Sequence, residues 1–189
     1  MAQHAFVPTD IQRINARDTH AAIERLAHLI LQRHPADEKL LLLGIANGGV
    51  VLARRLALHL KHARAGTLDI SFHRDDIGRH PIPKEFAPTH IPADVNGARV
   101  ILVDDVLQSG RTINAALNEL FDHGRPERVE LAVLIDRGDR RLPIAPDFFA
   151  LRLDTAPAEK VIVRIDPDAP AKDRIDIAPA APANKKNTA

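Results

Sequence analysis

Two adjacent carboxylates, Asp104 and Asp105, directly follow the four apolar residues 100–103. An uninterrupted apolar run of this kind predicts a strand that is buried on both faces. Acids at the end of a core strand differ from an ordinary solvated pair, which lies on a surface helix or turn. Because each carboxylate can accept a hydrogen bond from one hydroxyl, we predict that the pair binds the vicinal hydroxyls of a ribose.

The residues after the acids are suited to binding a phosphate group. The loop around Gly110 offers successive backbone N–H groups, the hydroxyls of Ser109 and Thr112 and the N-terminus of a predicted helix. Such a combination binds a phosphate dianion without a full positive charge. Alone, Ser109 and Gly110 would indicate only a helix cap. Beside the acid pair, they predict a site for a ribose 5-phosphate.

A second turn between a predicted strand and a predicted helix, residues 44–49, also presents backbone amides without bulky side chains. It lacks the Lys and the GK[ST] ending of a Walker loop and is not a complete GxGxxG motif. Two interpretations stay open, a tight turn into the next helix or a diphosphate-binding turn that faces the first loop. In the second interpretation the binding residues are Ala46, Asn47 and Gly48.

The elements that must position these residues follow from the hydrophobic pattern. Apolar residues at helical spacing predict one or two helices over 10–34 and single helices over 48–62 and 110–123. Short apolar or alternating runs predict strands over 40–45, 66–73, 99–103, 128–135, 148–153 and 160–165. The alternation predicts the α/β class, with a mostly parallel twisted sheet flanked by helices. Ligands of such sheets bind at the carboxyl ends of the strands, where both loops lie.

Two segments fall outside this alternation. Residues 74–98 contain several prolines and glycines without apolar periodicity, and a loop of this length in a compact domain is usually a lid, a binding loop or disordered. We predict a flexible lid. After Asp166, proline and alanine dominate, so we predict a single domain over 1–166 and a disordered tail over 167–189.

The composition excludes several kinds of function. The chain has 189 residues and no cysteine, which excludes disulfides, thiol nucleophiles, Cys–zinc sites and iron–sulfur clusters. Its net charge of +1 gives no general attraction to nucleic acid, and its six aromatic residues, all Phe, are too few for a base-stacking platform. The N-terminal residues show no targeting pattern and no apolar run is long enough to span a membrane, so we expect a cytoplasmic protein.

The motif around the acid pair also resembles a known signature. The sequence VILVDDVLQSGRT, residues 100–112, resembles the phosphoribosyl-diphosphate (PRPP) signature of type I phosphoribosyltransferases. Three flanking segments, LDISFHRDD (68–76), INAALNELFDHGRP (113–126) and LAVLIDRGDRRLPI (131–144), resemble the PyrR family of pyrimidine-operon regulators with uracil phosphoribosyltransferase activity. The similarity extends from about Ala22 to Ile165, most of the expected domain.

The resemblance implies the conversion of uracil and PRPP to UMP and diphosphate with Mg²⁺, on the type I phosphoribosyltransferase fold with a small hood region. Asp104 and Asp105 would hold the ribose hydroxyls and act in catalysis together with Arg74. A closed lid would exclude water and bring Arg74, with Arg79 and Lys84, to the diphosphate. The other implied binding residues are Leu107, Gln108, Ser109, Gly110, Arg111 and Thr112 for the 5-phosphate and Ile135, Asp136, Arg137 and Gly138 for uracil.

Some residues differ from those that are common in the family. Members commonly carry a basic residue or His and then Thr in the 44–49 turn, where this chain has Ala46 and Asn47, and they carry Tyr-Thr in place of Gln108 and Ser109. A hydroxyl is kept at Ser109 and a hydrogen-bonding group at Asn47. Ala46 lacks a charge near the diphosphate, so we predict weaker PRPP binding or slower turnover.

The resemblance also implies a second function, the binding of pyr leader mRNA. In this alternative the fold would act as a sensor of UMP or UTP, with weak catalysis or none. Arg25, His28 and Arg140 match the RNA surface of the family, whereas Glu24 and Asp139 add charges that repel a phosphate backbone. Salvage of another base, such as a purine, is a third possibility. The family likeness further implies a homo-oligomer, either a dimer or a larger assembly.

Overall fold

The computed structural model describes residues 13–35, 40–71, 88–156 and 159–179. Its elements in chain order are β1 (Arg13–Ile14), α1 (Ala16–Arg33), β2 (Leu40–Ile45), α2 (Ala46–His59), β3 (Arg64–Leu68), β4 (Arg99–Leu107), α3 (Arg111–Asp122), β5 (Arg128–Asp136), β6 (Phe148–Arg152), β7 (Glu159–Arg164) and β8 (Arg174–Pro179). A 3₁₀ turn, Pro170–Lys172, precedes β8. None of the helices in these ranges is long and apolar enough to cross a membrane.

The main sheet has five parallel strands in the order β3-β2-β4-β5-β6. Its central strands are covered on both faces, as their apolar runs predicted. Leu40 and Leu42 belong to the hydrophobic cluster that contains α1 and α2, whereas Leu41 and Leu43 belong to the cluster that contains α3. Alternate side chains of one strand thus fill two cores. The predicted α/β class with a parallel sheet flanked by helices is confirmed.

Strand order places the two predicted binding loops at one edge of the sheet. β2 and β4 are hydrogen-bonded neighbours, with Gly44 paired to Val103. Each strand leads directly into a helix, β2 into α2 and β4 through residues 108–110 into α3. Because the strands are parallel, both helix N-termini lie at the carboxyl ends of the strands. This is the edge at which ligands of doubly wound sheets bind.

The C-terminal segment differs from the prediction of a disordered tail beginning at residue 167. Residues 174–179 form β8, the middle strand of a second, three-stranded antiparallel sheet with the order β1-β8-β7. We call β1, β7 and β8 the small sheet. Ile175 is fully buried, and Asp173, which is 1% exposed, pairs with Arg55 of α2 at 3.2 Å. The prediction is therefore wrong for 167–179, and residues 180–189 lie outside the described ranges.

The predicted lid, residues 74–98, is described only in its last part. Residues 74–87 lie outside the described ranges. His90 pairs with Thr67 of β3 through two backbone hydrogen bonds of 2.8 and 2.9 Å, and Val95 is buried. Residues 88–98 are therefore attached along the edge of the main sheet. The predicted strand over 66–73 ends earlier, at Leu68.

Candidate active site

Asp104 and Asp105 lie near the carboxyl end of β4, which continues to Leu107 beyond the predicted strand. Asp104 is only 6% exposed, and its Oδ1 accepts a hydrogen bond of 3.0 Å from the backbone N–H of Asp105. Burial raises the pKa of Asp104 well above its usual range, and the neighbouring charge of Asp105 raises it further. Burial also raises the pKa of Asp105, against hydrogen bonds that lower it. A ligand that donates hydrogen bonds or carries positive charge would thus stabilise the ionised form of both carboxylates.

The turn at the start of α2 packs directly against this pair. A Cβ atom on Gly48 would lie 2.6 Å from Cγ of Asp105, and one on Gly49 would overlap the carbonyl oxygen of Val103. The absence of side chains at these two positions lets the turn approach β4. The structure therefore brings the predicted diphosphate turn and the predicted ribose-binding acids together, a contact that the sequence pattern did not reveal for Gly49.

The first residues of α2 differ from the predicted helix, which began at residue 48. The helix begins at Ala46, whose φ of 49° is in the left-handed region that favours glycine. Ile45 is the N-cap and supplies no side-chain hydrogen bond, and the first turn has no acidic residue. The backbone N–H groups of this turn are therefore not satisfied by a cap and can bind an anion.

The N-cap residue of α3 also supplies no side-chain hydrogen bond. This residue is Gly110, which has a φ of 90°, and the Arg111 N–H donates to Ser109 Oγ at 3.3 Å. The first turn of α3 again has no acidic residue. Ser109 therefore satisfies one N–H group at this helix N-terminus, and Gly110 has no side chain to satisfy another. Glycine suits this φ because it has no Cβ and reaches the left-handed region without strain, which allows the tight turn from β4 into α3.

The segment after β5, residues 137–142, is hydrogen-bonded to the loop before α3. The backbone N–H of Arg137 donates to the Leu107 carbonyl at 3.0 Å, and those of Arg141 and Leu142 donate to the Ser109 carbonyl at 3.0 and 3.1 Å. These bonds hold loop carbonyl oxygens towards residues 137–142. The predicted phosphate loop and the predicted uracil segment, residues 135–138, are thus in direct contact, which their separation in the sequence concealed.

The side chains of the predicted uracil segment have internal partners. Ile135, Asp136 and Arg137 are buried. The Arg137 guanidinium donates to Thr155 Oγ1 at 2.8 Å and to the Glu159 carbonyl at 3.0 Å, so it joins β5 to the connection before β7. This places the Arg137 guanidinium in a structural role.

Gly138 is the exposed member of the predicted uracil segment. It has a φ of 75°, and its N–H donates to Asp136 Oδ1 at 2.9 Å. A Cβ at Gly138 would lie 2.8 Å from Nη2 of Arg152, a cation at this edge that the sequence analysis did not single out. Arg152 also approaches Asp136, at 3.6 Å. The side of the predicted base site is therefore lined by Gly138 and Arg152.

Other predicted residues lie elsewhere. Arg74 is outside the described ranges. Of the residues matched to an RNA surface, Arg25 is half-buried on α1, and His28 is exposed with Nε2 at 2.9 Å from Nε2 of Gln32. Arg140 is largely internal, with its guanidinium directed at backbone carbonyls and at Asp136. The geometry therefore does not support Arg140 as an exposed RNA contact.

The comparisons with known proteins agree with this geometry. Residues 15–168 match the model of the phosphoribosyl transferase domain. The chain is 46% identical over 160 residues to a protein named bifunctional protein PyrR from Roseiflexus sp. (strain RS-1), covering 82% of this chain and 87% of that one. A protein of the same name from Geobacter sp. (strain M21) is 43% identical over 152 residues, covering 78% and 86%.

Solved structures show the same fold at low sequence identity. A hypoxanthine phosphoribosyltransferase from Staphylococcus aureus superposes with a TM-score of 0.64 at 15% identity, covering 95% of both chains. The hypoxanthine phosphoribosyltransferase of Trypanosoma cruzi gives a TM-score of 0.63 at 18% identity, covering 88% of this chain and 95% of that one. The resemblance seen in the sequence motifs is thereby confirmed: the chain belongs to the phosphoribosyltransferase domain family and, within it, to the PyrR family.

Proposed function

We propose that this protein is a uracil phosphoribosyltransferase that converts uracil and PRPP to UMP and diphosphate. The observation that carries the proposal is an acid pair, the buried Asp104 and the partly buried Asp105, beside the N-termini of α2 and α3. The N-cap residue of neither helix supplies a side-chain hydrogen bond, and neither first turn has an acidic residue. By contrast, α1 is capped by Asn15 and has Asp18 in its first turn. PRPP has a ribose diol between a phosphate and a diphosphate, which matches one acid pair with an anion site on each side.

Each part of the substrate has a proposed partner. Asp104 and Asp105 would accept hydrogen bonds from the ribose hydroxyls, the turn at Ala46, Asn47 and Gly48 would receive the diphosphate, and residues 107–112 would bind the 5-phosphate. In the reaction, uracil N1 forms a bond to ribose C1′ while the bond from C1′ to the diphosphate oxygen breaks, and N1 loses its proton. Carboxylates next to the sugar would stabilise the positive charge that develops on it.

Mg²⁺ is the cofactor that we propose with this substrate. The ion takes oxygen ligands, keeps several waters and is commonly held by one or two carboxylates together with substrate phosphates. Asp104 and Asp105 fit this role, because burial disfavours their negative charge and a cation would stabilise it. In the described ranges there is no cluster of three or more His, Cys, Asp or Glu that could hold a metal by itself. When bound, Mg²⁺ would neutralise charge on the leaving diphosphate.

The base would bind at the end of β5. We propose that the backbone of residues 135–138 faces the imide edge of uracil, with Arg152 beside Gly138. Arg74 stays a prediction for the contact with diphosphate, as does a lid formed by the segment that contains it. UMP and UTP would occupy the same site, and we expect a homo-oligomer as in the family resemblance.

The test is a panel of bases offered to the full chain with PRPP and Mg²⁺. We expect uracil to be converted to UMP and hypoxanthine or guanine to be poor substrates. The double variant Asp104→Asn/Asp105→Asn should lose activity by about a hundredfold or more, because it removes the charges that stabilise the sugar. Asp168→Asn, an exposed acid outside the site, is the control and should keep wild-type activity. A preference for a purine would contradict the proposal.

A second candidate function, RNA binding with UMP or UTP as the sensed ligand, is the one that the PyrR resemblance implies, and relatives in that family are named bifunctional proteins. Of the three residues matched to the RNA surface, His28 of α1 is exposed and Arg25 is half-buried. Filter binding of a pyr leader RNA, with and without UMP, measures this function separately from turnover. Tight UMP binding and RNA binding without conversion of uracil would favour the sensor.

A further inference from the structure

We propose that Arg140 is a positioning residue that holds the 5-phosphate loop, residues 107–112, in the conformation that binds phosphate. This inference rests on the proposed function, because it concerns the same phosphate site. A loop that binds an anion through its backbone must present N–H groups to the ligand, and its carbonyl oxygens must therefore have other partners. Arg140 supplies a partner to the Leu107 and Gln108 carbonyls, in addition to the backbone donors of residues 137, 141 and 142.

All three nitrogen atoms of the Arg140 guanidinium are engaged. Nη1 donates to the carbonyl oxygens of Leu107, at 3.2 Å, and Gln108, at 2.9 Å. Nε donates to the Ile144 carbonyl at 2.9 Å, and Nη2 forms an ion pair with Asp136. The side chain is 20% exposed. One planar group thus links the last residues of β4, the end of β5 and the segment that follows it.

The link has a direct electrostatic consequence for the loop. The carbonyl oxygens of Leu107 and Gln108 carry partial negative charge, which would repel a phosphate if they turned towards it. Hydrogen bonds to a cationic donor are stronger than those to a neutral one, so the guanidinium holds both oxygens on the side away from the ligand. The backbone N–H of Arg137 donates to the same Leu107 carbonyl, and that of Leu142 donates to the next carbonyl after Gln108, that of Ser109.

The same contacts connect the two halves of the proposed substrate site. Asp136 belongs to the segment proposed to face uracil, and its Oδ1 is bonded both to Arg140 and to the Gly138 N–H. Arg140 is therefore a side-chain link between the phosphate loop and the base segment, beside the backbone bonds of residues 137, 141 and 142. A lysine cannot replace this arrangement, because its ammonium group cannot reach separated acceptors as a planar fork does.

The experiment compares the wild type with Arg140→Ala, Arg140→Lys and, as a charge-matched control on the exposed face of α2, Arg54→Ala. In each full-length protein we would measure UMP binding by calorimetry, the KM values for PRPP and uracil, and amide hydrogen exchange in residues 107–112 without ligand. Both Arg140 variants should weaken UMP binding and raise the KM for PRPP by about tenfold or more. The KM for uracil should change less than the KM for PRPP, because the bond from the Gly138 N–H to Asp136 remains, and exchange in the loop should become faster.

The outcomes separate this proposal from the proposed function. Wild-type UMP affinity in Arg140→Lys would mean that the positive charge alone matters. Unchanged hydrogen exchange of the loop in Arg140→Ala would mean that Arg140 does not hold the loop conformation. Either result overturns the inference. Loss of leader-RNA binding with unchanged UMP affinity would also overturn it, since Arg140 would then be an RNA contact. A wild type that binds no UMP would contradict the proposed function, while the exchange comparison would still decide the role of Arg140.

Discussion

Asp104 carries a carboxyl group in a position where a negative charge is costly. Its surroundings are the apolar ends of β4 and β5, with Val133 paired to it across the strands. Desolvation is the main reason that its pKa is raised, and the adjacent Asp105 adds to the effect. A site that is unfavourable for its own charge when empty is favourable for ligands that compensate the charge. The acid pair therefore contributes to binding at the expense of stability.

This cost predicts a pH-dependent difference between the wild type and Asp104→Asn. A raised folded pKa means that the group stabilises the protein fully below its unfolded pKa, near 3.8, and that this contribution is lost as pH rises through the folded pKa. Asn cannot ionise and its oxygen can keep the bond from the Asp105 N–H. We expect the free energy of unfolding of the variant to exceed that of the wild type by about 1 kcal/mol or more at neutral pH.

Urea unfolding at a series of pH values measures this difference, which should shrink as the pH falls towards about 4. Asp176→Asn is a control of opposite sign, because a hydrogen bond from Arg13 lowers the pKa of Asp176. That variant should lose stability at neutral pH. A difference between Asp104→Asn and the wild type that does not change with pH would show that the Asp104 charge is not the cause.

At the scale of elements, the site depends on how closely the start of α2 approaches the end of β4. The two contact glycines face different kinds of atoms. A Cβ on Gly48 meets the carboxylate of Asp105, which can move, whereas a Cβ on Gly49 meets the backbone carbonyl of Val103, which is fixed in the sheet. The same substitution should therefore act on the ligand site at one position and on the fold at the next.

We predict that Gly48→Ala displaces the Asp105 carboxylate and weakens PRPP and UMP binding with little loss of stability. Gly49→Ala should lower the free energy of unfolding by about 1–3 kcal/mol, because the added atom forces apart packed backbone. Denaturant unfolding and UMP calorimetry on both variants separate the two effects, and each variant is the control for the other. Equal stability losses in the two variants would be inconsistent with this account.

Elements and motifs differ in how far the sequence predicts them. The apolar runs of β2 and β4 predict buried parallel strands, because a strand that is covered on both faces is mostly apolar along its length. The acids and the loop after β4 are contiguous in the chain, so their common site is readable from it. The roles of Arg137 and Arg140 cannot be predicted from the sequence, because their partners Thr155 and Leu107 are distant in the chain. The packing of β4, β5 and β7 brings these residues into contact.

On the scale of the whole molecule, the small sheet is attached to the main domain by a buried ion pair. Arg55 of α2 pairs with Asp173, donates to the Asp166 carbonyl at 3.3 Å and lies 3.3 Å from His20 Nδ1 of α1. The amino-acid composition did not reveal β8, because prolines and alanines surround the short alternating stretch that forms this strand. Burial of Ile175 shows that this stretch adds core to the protein and is not an appendage.

The predicted domain boundary at residue 166 can therefore be tested by truncation. A chain that ends at Asp166 lacks Asp173 and β8, which leaves Arg55 buried without its carboxylate and β1 and β7 without the strand between them. Removal of one partner of a buried pair costs about 3–5 kcal/mol, so we expect thermal unfolding at a much lower temperature than that of the full chain. A chain that ends at Pro179 keeps every described contact and is the control. If both truncated chains unfold at the temperature of the full chain, the small sheet does not stabilise the phosphoribosyltransferase domain.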